Sequence, residues 1–218
     1  MIRTRELFIL VSQTNTGIAK LIRGVSGYPY NHVSVTLDPR LSRWYSFARY
    51  VQDAPLYGGL VSESVQRLCG PEGDIQVRAY RVEIPEQKAL ELERLLPLAD
   101  KPASGLIYNH FDAVANALGF QLPLPRCHTC LSFACEILDQ QHVSIESLCD
   151  ALAPQLFYEG SLRQLVSVSD SCEDPYFVPM GMISGSVKSI AHLGLLSGRT
   201  MSHGALMYLR SHFRRTVH

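Results

Sequence analysis

A helix that begins at Cys130 is the sequence feature that most constrains how this chain can fold. Thr129 is suited to cap it, because a threonine hydroxyl can accept a hydrogen bond from a first-turn N–H. Apolar residues then recur at helical spacing and predict one buried face over 130–140, made by Cys130, Phe133, Ala134, Ile137 and Leu138. Because Cys130 lies in the first turn, the positive end of the helix dipole favours its thiolate. The chain must therefore bury this helix, and a base for Cys130 has to come from elsewhere.

The other segments predict a mixture of strands and helices. Strands are predicted at Leu7–Val11, His32–Leu37, Trp44–Ala48 and Ile75–Ile84. Helices are predicted at 18–25, 85–98, 107–118, 130–140, 144–152, 162–166, 187–196 and 203–213. Hairpin-like connections outnumber long crossovers early in the chain. We therefore expect an α+β fold in which an antiparallel sheet packs on helices.

Length and charge predict one main domain with an appendage. At 218 residues the chain can bury one good core, and we expect a domain over 1–172 and a basic helical extension over 173–218. The net charge of zero gives no overall attraction to nucleic acid. From residue 175 onward, however, there are five basic residues and no acidic one. This tail is expected to dock on the acidic remainder of the chain or to stay solvated, with an acidic partner or an anionic membrane surface as the alternatives.

The expected compartment is the cytoplasm. The first residues contain no apolar run typical of a signal peptide, and no segment reaches the ~18 unbroken apolar residues of a membrane span. Six cysteines at irregular spacing do not resemble a disulfide framework in a chain of this length. A reducing environment is the simplest interpretation.

A nucleophilic cysteine needs an imidazole within hydrogen-bonding reach, and the chain has eight histidines. His32 begins a predicted strand directly after a proline-containing turn, so its ring is expected at the end of the sheet. His128 lies two residues before Cys130, too close along the chain to fold back onto it easily. His110 lies on a predicted amphipathic helix and is equally well explained as a surface residue. His32 is therefore the preferred base.

The order of these segments resembles a known family. The segments are Tyr28–Val35, Tyr45–Arg49, Tyr108–Asn109 and Cys130–Ala134. Together they resemble the permuted branch of the NlpC-type papain-like cysteine hydrolases, in which the histidine strand precedes the cysteine helix. The resemblance extends over about 7–158. It implies a permuted papain-like fold with a C-terminal helical extension.

The resemblance also implies roles for individual residues. Cys130 would be the nucleophile and His32 the base. The family often places a third polar residue on the strand after the histidine strand, and here that position holds Ser46, which carries no charge. The Cys130 N–H would donate to the oxyanion, and Tyr30 would be a second donor or a wall of the substrate site. No cofactor and no metal is implied.

The expected activity is thiol-dependent hydrolysis or acyl transfer at an amide, isopeptide or ester carbonyl. A small peptide, a muropeptide or an acyl ester would be the substrate. Three alternatives remain open at the level of sequence. The uncharged Ser46 favours a papain-like module that binds without catalysis. The motif Cys127-x-x-Cys130 is typical of a redox pair or of half a zinc site. Cys130 can also be a buried thiol without a chemical role.

Overall fold

The computed structural model describes most of the chain: residues 3–14, 24, 27–70, 73–117, 121–166 and 174–215, with side chains in the last helix described through 204. Almost all of the helix predicted at 18–25 lies outside the described residues, as do Cys172 and the predicted domain boundary at 172/173.

The described residues form eight strands and seven α-helices. The strands are β1 (Thr4–Ser12), β2 (His32–Thr36), β3 (Trp44–Arg49), β4 (Gly58–Glu63), β5 (Gln76–Pro85), β6 (Ile107–Tyr108), β7 (Cys127–His128) and β8 (Leu156–Ser161). The α-helices are α1 (Val65–Cys69), α2 (Glu86–Leu95), α3 (His110–Ala117), α4 (Cys130–Leu138), α5 (Ile145–Ala151), α6 (Leu162–Leu165) and α7 (Met182–Arg215). Short 3-10 turns lie at Leu96–Leu98, Pro102–Ser104, Ala153–Gln155 and Pro175–Phe177.

Six strands form one antiparallel sheet in the order β4-β3-β2-β1-β5-β8. The two short strands β6 and β7 form a separate parallel pair. The expected α+β class with an antiparallel sheet packed on helices is therefore confirmed.

Strand β1, near the middle of the sheet, is apolar from Leu7 to Val11 because both faces of the sheet are covered there. Leu7, Ile9 and Val11 pack in a core with residues of α2, α4 and α5. Phe8 and Leu10 point the other way, into a smaller core with residues of α1 and α6. A strand that is buried on both faces has no polar side to present to water, which explains the unbroken apolar run.

Helix α4 begins at Cys130, where the sequence predicts it. The Thr129 hydroxyl accepts a hydrogen bond from the Ser132 N–H at 3.0 Å, and the Ser132 hydroxyl accepts one from the Thr129 N–H at 2.8 Å. This reciprocal arrangement is a capping box, so the predicted N-cap is confirmed. Phe133 and Ala134 are buried in the larger core and hold the helix on the sheet. Cys130 is thereby fixed at the start of a well-anchored helix.

Several elements differ from the expectation. Strands β4 and β8 were not predicted. The helix predicted at 107–118 begins only at His110, because Ile107 and Tyr108 pair with β7 as a strand. His110 is not a surface residue, since its ring is half-buried and its Nε2 lies 3.0 Å from the Leu56 carbonyl oxygen.

The tail forms one helix where the sequence predicts two. Helix α7 continues through Gly194 and Gly198, because a glycine weakens a helix by about 1 kcal/mol without ending it. Ser189, His192 and Leu196 are buried on its inner face. The first part of the tail therefore docks on the rest of the chain. In the part of the chain that the structure describes, no helix is both long and apolar enough to cross a membrane.

Candidate active site

The structure brings Cys130 and His32 together. Cys130 is the first residue of α4, His32 is the first residue of β2, and α4 packs against β2. The two side chains are close enough for Cys130 to raise the pKa of the His32 imidazole. Cys130 is 9% exposed, so its thiol lies at the inner end of the site rather than on an open surface.

Glu63, at the end of β4, is the partner of His32 on the other side of the ring. The His32 Nε2 lies 2.9 Å from Oε1 and 3.0 Å from Oε2 of Glu63. Ser34 donates a hydrogen bond from its hydroxyl to Oε2 at 2.6 Å. Because Nε2 faces Glu63, Nδ1 is the ring nitrogen left for Cys130. The result is a line of three groups, a thiol, an imidazole and a carboxylate.

The prediction that Ser46 orients His32 is therefore corrected. Ser46 is fully buried on β3, and its hydroxyl has no hydrogen-bond partner. The carboxylate comes from β4, the strand beyond β3, and reaches across it. Sequence reasoning missed Glu63 because the run Gly58–Glu63 is short. Its one signal was an apolar strand that ends in an acidic residue immediately before a helix cap at Ser64.

His32 and Glu63 each stabilise the charged form of the other. Burial alone would lower the pKa of His32, but the Glu63 carboxylate and Cys130 raise it to about 10. Burial alone would raise the pKa of Glu63, but the charge and hydrogen bond of His32 lower it to about 2, with smaller contributions from Arg67 and Ser34. His32 is thus held as an imidazolium beside an ionised carboxylate at neutral pH.

Tyr30 does not take part in this arrangement. Its hydroxyl donates a hydrogen bond to Oε1 of Glu159 on β8 at 3.3 Å, and the Arg78 guanidinium lies 5.1 Å from the centre of its ring. Strand β8 forms the opposite edge of the sheet from β4. The prediction that Tyr30 is an oxyanion donor or a substrate wall is corrected accordingly.

Tyr108 is the tyrosine that lies near Cys130. Burial raises the pKa of its hydroxyl, and the charge of Cys130 raises it further. Tyr108 pairs with His128 across the β6–β7 ladder, two residues before the nucleophile candidate. The Tyr108 phenol, which its raised pKa keeps protonated, is therefore a further hydrogen-bond donor near Cys130.

A largely apolar cleft of about 610 Å³ adjoins the start of α4. Phe47, Leu106 and Phe133 line it, together with His128 and Ser132, which flank Cys130 along the chain. The His128 ring lies 4.9 Å from the ring of Phe47, and its Nδ1 lies 3.2 Å from a carboxylate oxygen of Glu136. His128 is therefore part of the cleft wall.

Cys127 and Cys130 belong to different cores. Cys127 packs with Ile107, Leu124 and Leu196, whereas Cys130 packs in the larger core. Both are free thiols. Among the described residues no group of three or more His, Cys, Asp or Glu side chains is arranged to hold a metal ion. Neither the redox nor the zinc alternative gains support from this arrangement.

No protein-family model matches the chain, and no significant match was found among curated proteins or among solved structures.

Proposed function

We propose that this chain has a permuted NlpC-type papain-like fold and acts as a cysteine hydrolase or acyltransferase. The observation that carries the proposal is the position of His32 next to both Cys130 and Glu63, with the Glu63 carboxylate 2.9 Å from its Nε2 and Cys130 in the first turn of α4. A thiol, an imidazole and an orienting carboxylate are the groups that thiol-dependent acyl transfer requires.

In the proposed reaction the Cys130 thiolate attacks the carbonyl carbon of an amide or ester. The N–H groups at the start of α4 and the Tyr108 hydroxyl stabilise the negative charge that develops on the carbonyl oxygen. The His32 imidazolium then gives its proton to the leaving amine or alcohol as the bond to carbon breaks, which leaves an acyl group on Cys130. A water molecule, or an acceptor amine or alcohol, loses a proton to His32 and releases the acyl group.

Glu63 weakens the argument for a module that binds without catalysis. That alternative depended on an uncharged residue behind the imidazole. A buried carboxylate at hydrogen-bonding distance from Nε2 supplies the charge that stabilises the imidazolium. Catalysis by a thiolate–imidazolium pair is therefore the function that the geometry supports best.

The proposed substrates are a small peptide, a muropeptide or an acyl ester. The apolar cleft beside α4 suits an acyl group or an apolar side chain next to the reacting carbonyl. Since the nucleophile has to stay reduced, a reducing compartment such as the cytoplasm is part of the proposal.

The test is acylation of the protein by p-nitrophenyl acetate. We expect a burst of nitrophenolate equal to the amount of protein, and an acetyl adduct on the peptide that contains Cys130. Replacing His32 with alanine should slow the burst by about 10²-fold or more, because the thiolate loses its partner. The adduct is located by mass spectrometry after digestion.

Cys69→Ala is the matched control, since Cys69 is also a buried free thiol and packs in the smaller core on the other face of the sheet. It should leave the burst unchanged, whereas Cys130→Ala should abolish it. Acetylation of Cys130 at the same rate with and without His32 would refute the proposal.

A further inference from the structure

Arg67, on α1, is a buried cation without a close ion-pair partner of its own. Its side chain is 6% exposed, and the nearest carboxylate within 4.0 Å, that of Asp100, lies at that limit and is half exposed. Its guanidinium donates hydrogen bonds to the backbone carbonyls of Ser62, at 3.4 Å, and of Arg49. Arginine is rarely buried to this extent unless another charge compensates it.

Besides Asp100, Glu63 is a carboxylate within the electrostatic range of Arg67. The Ser62 carbonyl that accepts from Arg67 belongs to the residue before Glu63, and the two charges are close enough for Arg67 to help keep Glu63 ionised. The carboxylate thus has two cations near it, His32 in hydrogen-bond contact and Arg67 farther away.

The segment after residue 173 holds Arg67 in this place. The Tyr176 ring centre lies 4.6 Å from the Arg67 guanidinium carbon, within the range of a cation–π contact. Arg49 donates a hydrogen bond to the Tyr176 hydroxyl at 2.6 Å. Asp174 accepts hydrogen bonds from the Ser64 hydroxyl at 2.6 Å and from the Tyr176 N–H at 2.9 Å. This segment is therefore tied to the end of β4, where Glu63 lies.

We propose that Arg67 and Tyr176 are positioning residues for the Cys130–His32–Glu63 line. Arg67 balances the charge of Glu63, so that a second anion, the Cys130 thiolate, can form beside it. Tyr176 keeps Arg67 in place. This inference rests on the proposed function and extends it, because it makes part of the C-terminal segment necessary for the reactivity of Cys130.

The test is the pH dependence of Cys130 alkylation by iodoacetamide in the intact protein, followed by mass spectrometry. Arg67→Met removes one of the two cations near Glu63 and leaves His32 to balance the carboxylate, so the thiolate forms less easily. We expect the midpoint of alkylation to rise by about half a pH unit or more. Arg67→Lys restores the charge and should return the midpoint toward that of the unmodified chain.

Tyr176 provides a matched pair of variants. Tyr176→Leu removes the ring that holds Arg67 and should raise the midpoint, by less than Arg67→Met does. Tyr176→Phe keeps the ring and loses only the hydrogen bond from Arg49, so it should raise the midpoint less than Tyr176→Leu does. Thermal unfolding of each variant identifies those that are folded at the temperature of the assay. A purely structural role for Arg67 would lower the melting temperature without moving the midpoint.

The outcomes separate this inference from the proposed function. If the unmodified chain has a low midpoint that depends on His32, and folded Arg67→Met and Tyr176→Leu have the same midpoint, this inference alone is overturned. If Cys130 in the unmodified chain alkylates as an ordinary thiol whether or not His32 is present, both proposals are overturned.

Discussion

At the scale of single residues, Glu63 determines the protonation state of His32. A buried imidazole with no charged partner is normally neutral, because burial disfavours the charged form. Glu63 is buried too, and each of the two groups is ionised because the other one is. The pair therefore prepares an imidazolium next to Cys130 before any substrate arrives.

Glu63→Gln tests this dependence directly. The amide can still accept or donate a hydrogen bond, but it removes the charge, so the pKa of His32 should fall from about 10 by about 1 to 3 units. The measurement is an NMR titration of the His32 ring in protein labelled at histidine.

The matched control is Glu159→Gln, which removes a carboxylate at the opposite edge of the sheet. It should leave the titration of His32 unchanged. A His32 pKa that is the same in Glu63→Gln and in the unmodified chain would contradict the assigned pairing.

At the scale of elements, α7 has one buried face and one exposed face. Leu196 is fully buried against Ile107, Leu124 and Cys127. Arg199 lies three residues after Leu196 on α7. It donates hydrogen bonds to the Gly105 carbonyl at 3.0 Å and to the Cys127 sulfur at 3.4 Å. These contacts fasten the helix to the segment that leads into α4.

Neighbouring leucines on α7 provide a comparison of its two faces. Leu196→Ala should lower the free energy of unfolding by about 2–5 kcal/mol, because it leaves a cavity in the small core. Leu195, which is 60% exposed, should tolerate the same change within about 0.5 kcal/mol. Urea unfolding of the two variants checks the difference, and equal small losses would mean that α7 does not dock in this way.

At the scale of the whole molecule, histidines with shifted pKa values oppose one another in their effect on stability. Burial lowers the pKa of His110 to about 4, burial together with Arg199 lowers that of His192, and burial also lowers those of His128 and His142. The rings of His110 and His192 lie 6.3 Å apart, between α3 and α7. His32, in contrast, has a raised pKa.

The stability of the protein should therefore peak near pH 6.5. Below that pH the unfolded chain binds more protons at His110 and His192 than the folded chain does, so stability falls as the pH drops toward 4. Above it the folded chain retains a proton on His32 that the unfolded chain loses, so stability falls as the pH rises toward 10. Each unit of pKa difference contributes about 1.4 kcal/mol at most. Urea unfolding between pH 4.5 and 9 measures the curve.

Replacing single histidines shows which residue contributes to the acidic side and which to the alkaline side of the stability curve. His110→Asn should flatten the acidic side and His32→Asn the alkaline side. A curve that keeps the same slope on the acidic side in the His110 variant, or a maximum well away from pH 6.5, would argue against this account.

The features of this protein that its sequence predicts correctly are local ones. The Thr129 cap, the apolar face of α4 and the strand that begins at His32 depend on residues within one or two turns of each other. Spacing and capping chemistry are sufficient to predict such features. The α+β class followed in the same way, from short strands with short connections.

The tertiary structure alone decided which side chains meet. Glu63 reaches His32 because of the order of β4, β3 and β2, and the same order sends Tyr30 to the opposite edge toward Glu159. Cys127 and Cys130 separate because β7 and α4 face different cores. Contacts of this kind depend on how distant segments pack, which spacing along the chain does not encode.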